Sequence, residues 1–132
     1  MSKILYEPYS ERNDNGVWVL TYGQPVKTPF YFDWEGITAE GSSVKINIDQ
    51  SCYAVIKIKA DMRDRESIIE HSVNMGANNC VLVELGEVDM TTMKPDRLYH
   101  MGIVLYGDDD KIIRVLLRDL PIKVERSSLA LW

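Results

Sequence analysis

The sequence has few of the residues and motifs that enzymes and metal sites usually require. Its 132 residues include only two cysteines, Cys52 and Cys80, and two histidines, His71 and His100. Neither cysteine has a Cys or His partner at the spacing of a zinc site, and neither histidine lies in a nucleophile motif. A glycine-rich phosphate loop is also missing. We therefore expect no cofactor, no bound metal and no enzymatic activity, and we expect both histidines to be surface or half-buried strand residues.

Long apolar runs and an excess of positive charge are missing as well. No apolar run approaches the roughly 20 residues of a membrane helix, and the first residues, MSKILYEPYSERND, lack the apolar core of a signal peptide. The formal net charge is −5, which disfavours binding to nucleic-acid phosphates and to anionic lipids. These absences predict no nucleic-acid partner, no membrane contact, and synthesis in a reducing cytoplasm where both cysteines stay free thiols.

The sequence is rich in apolar residues at alternate positions, which is typical of strands with one buried face. The clearest example runs from Leu98 to Glu125, LYHMGIVLYGDDDKIIRVLLRDLPIKVE. Its three apolar runs predict three strands. The acidic segment from Gly107 to Asp110 between the first two predicts a polar hairpin turn rather than a calcium loop, whose carboxylates usually alternate. The last strand contains Pro121, which cannot donate a ladder hydrogen bond, so we expect it at a sheet edge.

The rest of the chain adds short strands and hardly any helix. Residues 61–78 allow a helix or a β-hairpin that turns near Arg63 to Arg65; the apolar residues form no helical stripe, which favours the hairpin. Residues 87–95 allow one helical turn or an extended loop, ended by Pro95. Many short strands predict an all-β fold, an antiparallel β-sandwich or barrel. The other predicted strands lie near residues 17–22, 30–34, 44–48, 54–60 and 80–85.

We expect one domain, residues 16–126, between an extended N-terminal arm, residues 1–15, and a short apolar C-terminal tail, residues 127–132. The tail has the sequence SSLALW. Exposure of large apolar side chains to water is unfavourable, so the tail either folds back on its own domain or docks on a neighbour.

Six aromatic residues follow one another closely between Trp18 and Trp34. They either pack in the core or form an adhesive surface, because aromatic rings are favoured at protein interfaces. Exposed rings would equally suit a carbohydrate-binding module or adhesin that stacks sugars on Trp18, Tyr31 or Trp34. The candidate interface residues are Trp18, Tyr22, Tyr31, Trp34, Leu129, Leu131 and Trp132.

A characteristic order of features begins at Ala54. It consists of the strand AVIKIKADMR, the return strand SIIEHS, the strand CVLVELG, a Thr-containing connector ending at Pro95, a strand opening near Tyr99 and the closing strand PIKVE. This order resembles the immunoglobulin-like β-sandwich domains of tailed-bacteriophage structural proteins, and the nearest comparison is the N-terminal domain of baseplate upper proteins and related tail- or head-fibre components. The resemblance covers about residues 53–126 and departs at Asp96, where the family pattern usually has Gly.

The resemblance implies an immunoglobulin-like sandwich and a non-enzymatic virion part. Such a part is often a trimer or a ring subunit and holds a baseplate, tail, fibre or capsid neighbour. Its partners would be other virion proteins and further copies of itself. It would be synthesised in the host bacterial cytoplasm and reside in the virion. A third possibility is a small enzyme, which requires a pocket where His71 or His100 meets carboxylates.

Deletion of Leu129 to Trp132 should leave a folded domain and weaken assembly, which is the result expected of a tail that docks on a neighbour. Thermal unfolding and light scattering of the shortened chain measure the two effects separately. An unfolded product would show instead that the tail belongs to the core.

Overall fold

The computed structural model describes residues 2–6, 11–12, 16–37, 43–45 and 47–126, and the side chains of 16–32 and 47–126. Strands dominate this part of the chain. The only other elements among these residues are a six-residue helix, α1 (Glu87–Thr92), and a short 3₁₀ turn, Ala77–Asn79. The strands are β1 (Ser2–Tyr6), β2 (Glu11–Arg12), β3 (Trp18–Thr21), β4 (Val26–Ile37), β5 (Ser43–Lys45), β6 (Tyr53–Lys59), β7 (Ile69–Asn74), β8 (Cys80–Leu85), β9 (Leu98–Tyr106) and β10 (Ile112–Glu125).

Six strands form the larger sheet, in the order β2-β3-β10-β9-β6-β7. Neighbouring strands run antiparallel except β3 and β10, which pair in parallel from Trp18 opposite Ile122. The all-β class is therefore confirmed, whereas a wholly antiparallel arrangement is wrong for this one pair. The immunoglobulin-like topology stays a prediction.

The long strand β4 is the centre of the smaller sheet. It pairs antiparallel with β1, β5 and β8 along successive parts of its length. The sequence predicts an extended N-terminal arm over residues 1–15. In its described parts, β1 pairs with β4 and β2 pairs with β3.

Both sheets contribute to one hydrophobic core. Trp18 of β3 meets Phe30 of β4 edge to face, with ring centroids 5.2 Å apart. Met90 of α1 and the neighbouring Met93 close the core, and both are fully buried. Burial of large side chains from every layer stabilises the fold at roughly 25 cal/mol per Å² of apolar surface. The other fully buried large side chains are Phe32, Ile56, Ile58, Leu85, Met101, Ile103, Leu105 and Ile122.

The stretch from Leu98 to Glu125 forms two strands, not the three predicted. β10 is one 14-residue strand whose register against β9 shifts three times. Such bulges let a long strand absorb extra residues and bend. β10 also lies inside the sheet, between β9 and β3, so the predicted edge position is wrong. Pro121 is accommodated because the pairing with β3 begins only at Ile122.

Residues 61–78 form the hairpin that the sequence favoured. β6 and β7 pair antiparallel from Tyr53 opposite Asn74 to Ile58 opposite Ile69. The acidic segment after β9 is the expected turn, in which the Gly107 amide donates to the Lys111 carbonyl over 2.9 Å. The segment after β8 forms one short helix, α1, which was one of the two alternatives for residues 87–95; the other was an extended loop.

The connector between α1 and β9 contains a backbone conformation that glycine adopts most easily. Asp96 has φ +63°, in the left-handed region, which Asp and Asn enter more readily than other side-chain-bearing residues. Its amide donates to the Val124 carbonyl over 2.7 Å. Nearby, the Lys94 amide donates to the Tyr99 hydroxyl over 2.7 Å. These two bonds hold the connector against the start of β9 and the end of β10.

Ile122→Ala should lower the free energy of unfolding by about 2–5 kcal/mol, because it opens a cavity at a fully buried position. The matched control is Ile112→Ala in the same strand. The Ile112 side chain is 64% exposed, so this change should cost less than about 1 kcal/mol. Urea denaturation of both variants measures the difference, and equal losses would contradict the placement of Ile122 in the core.

Candidate functional site

The large sheet has one face turned away from the core, which we call the outer face. Along β9, Tyr99, Met101, Ile103 and Leu105 are buried in the core, and the intervening residues are partly exposed. Since successive strand side chains point to opposite sides, these intervening residues of β9 and their partners on β6 and β10 form the outer face.

A groove of about 250 Å³ crosses the outer face beside Gly102. Gly102 has no side chain, which lets the backbone of β10 approach it closely. A Cβ atom there would lie 3.3 Å from the Leu117 carbonyl oxygen and 3.4 Å from that of Arg118. At this approach, the register of β10 shifts between Leu117 and Leu120. A glycine and a bulge together therefore shape the groove, in the way both features often mark sites where another group approaches the backbone.

The floor of the groove is apolar. Val104 of β9 pairs with Val115 of β10, and both line the groove with Leu117 and Met62. Val115 is 47% exposed and Met62 is 45% exposed. Ile112 and Ile113, which are nearer the β9–β10 turn, are further exposed apolar residues of β10. Several exposed apolar side chains on one strand often mark an interaction site, unlike single scattered ones.

The rim of the groove is positively charged, although the whole chain is acidic. Lys57 lies 3.9 Å from the Glu70 carboxylate, a long ion pair. Lys59 donates from Nζ to the Asp64 backbone carbonyl, an uncharged acceptor, over 2.8 Å. Arg118 also lines the groove, and among the described residues it has no ion-pair partner. The rim therefore favours a partner that carries carboxylates.

A histidine–aspartate pair stands at one end of the same groove. His100 Nδ1 and Asp119 Oδ1 are 3.0 Å apart. His100 projects from β9 and Asp119 belongs to the bulged part of β10. This contact holds the bulge of β10 against β9, and so it helps to fix the position of the neighbouring Arg118.

A pair of stacked tyrosines lies near the opposite end of the outer face. The rings of Tyr53 and Tyr106 are 5.4 Å apart and within 8° of parallel. The Tyr53 hydroxyl donates to Asp110 Oδ1 over 2.8 Å. This bond raises the pKa of Tyr53, because the carboxylate holds the phenolic proton, and burial adds to the effect. The pair anchors the β9–β10 turn to β6.

The second histidine lies in a separate groove between β7 and α1. His71 Nε2 is 2.7 Å from Asp89 Oδ2. The same Asp89 oxygen accepts from the Gly86 amide over 3.0 Å at the start of α1. Glu84 and Ser72 also line this groove. Each histidine thus meets a carboxylate beside a groove, the arrangement that the small-enzyme alternative requires.

The nucleophile of such an enzyme is not found beside either histidine. In the described part of the chain, neither imidazole hydrogen-bonds a hydroxyl or a thiol. Nor do these residues contain three metal-ligating side chains grouped around one point. The observed pairs join neighbouring elements, since His71 of β7 meets Asp89 of α1 and His100 of β9 meets Asp119 of β10.

Both cysteines are free thiols, as expected. Burial raises the pKa of Cys52, and the nearby Asp49 carboxylate raises it further. Burial also raises the pKa of Cys80. Since the thiolate is the reactive form, both groups are poor nucleophiles at neutral pH.

The predicted interface residues are not brought together by the described structure. Trp18 is 0% exposed, so the prediction that it forms a surface, for proteins or for sugars, is wrong. Tyr22 is partly buried against the core and Tyr31 is half-buried. Trp34 lies in β4 opposite Ser2, but its side chain is outside the description. The remaining three candidates, Leu129, Leu131 and Trp132, lie outside the described residues.

The groove itself was missed, although the sequence carried two signals for it. Gly102 interrupts an alternating strand, which is a known mark of a bulge or a close approach. Ile112, Ile113 and Val115 place apolar residues at positions that a simple alternation cannot all bury. Recognising the site also required the register of β10 against β9, which follows only from the tertiary structure.

Comparison with known proteins leaves the family open. The chain matches no protein-family model, and no curated protein shows significant similarity to it. None of the described helices has the length and apolarity of a membrane span.

Asp110→Asn should lower the pKa of Tyr53 toward that of an ordinary tyrosine, because a neutral amide no longer holds the phenolic proton. With the raised pKa in the folded state, the native bond stabilises the fold below the ordinary phenol pKa, and this contribution is lost as the pH rises through the raised value. NMR titration of ring-labelled tyrosine measures the change. Asp119→Asn is the control and should leave Tyr53 unaltered.

Proposed function

We propose that this chain is a non-enzymatic structural protein of a tailed-phage particle, which acts by packing its outer face against other virion proteins. The observation that carries the proposal is the exposed apolar surface of β10. Ile112, Ile113 and Val115 are 64%, 48% and 47% exposed, and Val115 also lines the groove. Water contact with such a surface is unfavourable, and a packed neighbour removes it.

The phage assignment rests on the resemblance of residues 53–126, and one backbone angle supports it. The family pattern usually has Gly where this chain has Asp96. The φ of Asp96 is +63°, which is the conformation that a glycine at this point would serve. The chain thus departs from the pattern in residue type while keeping the conformation that glycine favours.

The chemistry available on the outer face suits adhesion. Its groove combines an apolar floor with a cationic rim, which provides area for packing and charge for choosing a partner. The imidazole beside it is held by Asp119, over 3.0 Å. A protein partner with an apolar and acidic surface would match both parts of the groove.

Particles of a phage that encodes this chain should contain it in a fixed stoichiometric amount. Quantitative mass spectrometry of purified particles measures this. Absence of the chain from the particles would contradict the proposed function.

Val115→Asp should reduce incorporation into particles by about tenfold or more, because it places a carboxylate on the apolar floor of the contact. The variant should unfold at nearly the wild-type urea concentration, since residue 115 is 47% exposed. Ile68→Asp is a matched control at an exposed apolar residue in the β6–β7 turn, where no loss is expected. Equal incorporation of the Val115 variant and the wild type would exclude the outer face as the contact.

A further inference from the structure

The groove on the outer face cannot be covered well by the same groove of a second copy. A symmetric face-to-face contact would bring Lys57, Lys59 and Arg118 of one copy close to those of the other. Like charges at a desolvated contact are strongly unfavourable. The occupant must therefore present an apolar side chain beside a carboxylate.

The chain carries such a group on α1. Val88 is 78% exposed, the highest value among the exposed large apolar side chains of the described residues. Glu87 precedes it and is exposed as well. The hydroxyls of Thr91 and Thr92 donate to helix carbonyls, over 3.0 Å and 2.7 Å respectively. Their hydrogen bonds are made within the helix, and Asp89 is bonded to His71, so α1 offers a protruding apolar side chain with one exposed acidic neighbour, Glu87.

The positions of α1 and the groove require two different copies for this contact. Met90 anchors α1 in the core. Asp89 of α1 bonds to His71, and His71 pairs with Ile56, whose side chain is in the core. The helix therefore lies on the core side of the large sheet, whereas the groove lies on its outer face. No copy can place Val88 in its own groove.

We infer that α1 of one copy docks in the outer-face groove of the next, with Val88 on the apolar floor and the Glu87 carboxylate against Arg118. The inference rests on the proposed function, since it names a partner for the same face. A contact between two different surfaces is head-to-tail, so it produces a ring when the rotation closes and a filament when it does not. The contact is small and weak between two copies, and closure of a ring reinforces it.

Mixing two blocked variants tests the head-to-tail geometry. Val88→Asp removes the docking group and leaves the groove intact, and Arg118→Glu alters the groove and leaves α1 intact. Sedimentation velocity at protein concentrations up to about 1 mM should show concentration-dependent association of the wild-type chain. Each variant alone should associate at least about tenfold more weakly. An equal mixture should form a one-to-one dimer and nothing larger, because only one intact α1 and one intact groove remain.

A charge exchange tests the contact between Glu87 and Arg118 directly. Glu87→Arg should weaken self-association, and Glu87→Arg combined with Arg118→Glu should restore most of it. Glu125→Arg is the matched control, because Glu125 is exposed at the end of β10 and lies outside both α1 and the groove. Thermal unfolding of each variant establishes that it is folded, and every substituted side chain is at the surface.

Three results would overturn the inference. They are a wild-type chain that stays monomeric at every concentration, association unaffected by Val88→Asp, and a mixture that stays monomeric while the wild type associates. Loss of association on deletion of Leu129 to Trp132 with no effect of Val88→Asp would identify the tail as the occupant instead. The amount of the chain in purified particles is measured independently of self-association, so these outcomes test the inference about α1 and leave the test of the proposed function separate.

Discussion

The structure depends on the burial of one side of β9. Tyr99, Met101, Ile103 and Leu105 fill the core between the sheets, and β9 is hydrogen-bonded on both edges, by β6 and by β10. A shift of one residue would exchange the two faces of the strand and expose all four side chains. The burial of these four side chains on one side of β9 therefore determines which residues lie on its other side, including Gly102 and Val104 of the groove.

The long strand β10 adapts to this fixed neighbour. Its three register shifts against β9 bring Leu116, Leu120, Ile122 and Val124 into the core, while Val115 remains half exposed. The bulge opposite Gly102 has a second consequence, because it carries Arg118 to the rim of the groove. Core packing and the shape of the surface site are thus two results of one irregular pairing.

The charge on the outer face determines which partners it favours. The chain has a formal net charge of −5, yet Lys57, Lys59 and Arg118 surround an apolar floor on one face. Carboxylates are distributed over other elements, among them α1. When one surface of a molecule is positively charged and another is negatively charged, two copies associate more favourably through unlike surfaces than through like ones. This preference underlies the head-to-tail contact inferred for α1.

The sequence by itself determined the elements whose signals are local. Alternation predicted the all-β class and the course of β9, the lack of a helical stripe favoured the β6–β7 hairpin, and consecutive polar residues predicted the turn at Asp108 to Asp110. Tertiary structure decided the rest, because strand partners, the parallel pairing of β3 with β10 and the single bulged course of β10 depend on contacts between residues far apart in the chain. Trp18 illustrates the limit: aromatic character suits a core and an interface equally, and only the presence of Phe30 across the sheets, 5.2 Å away, placed it inside.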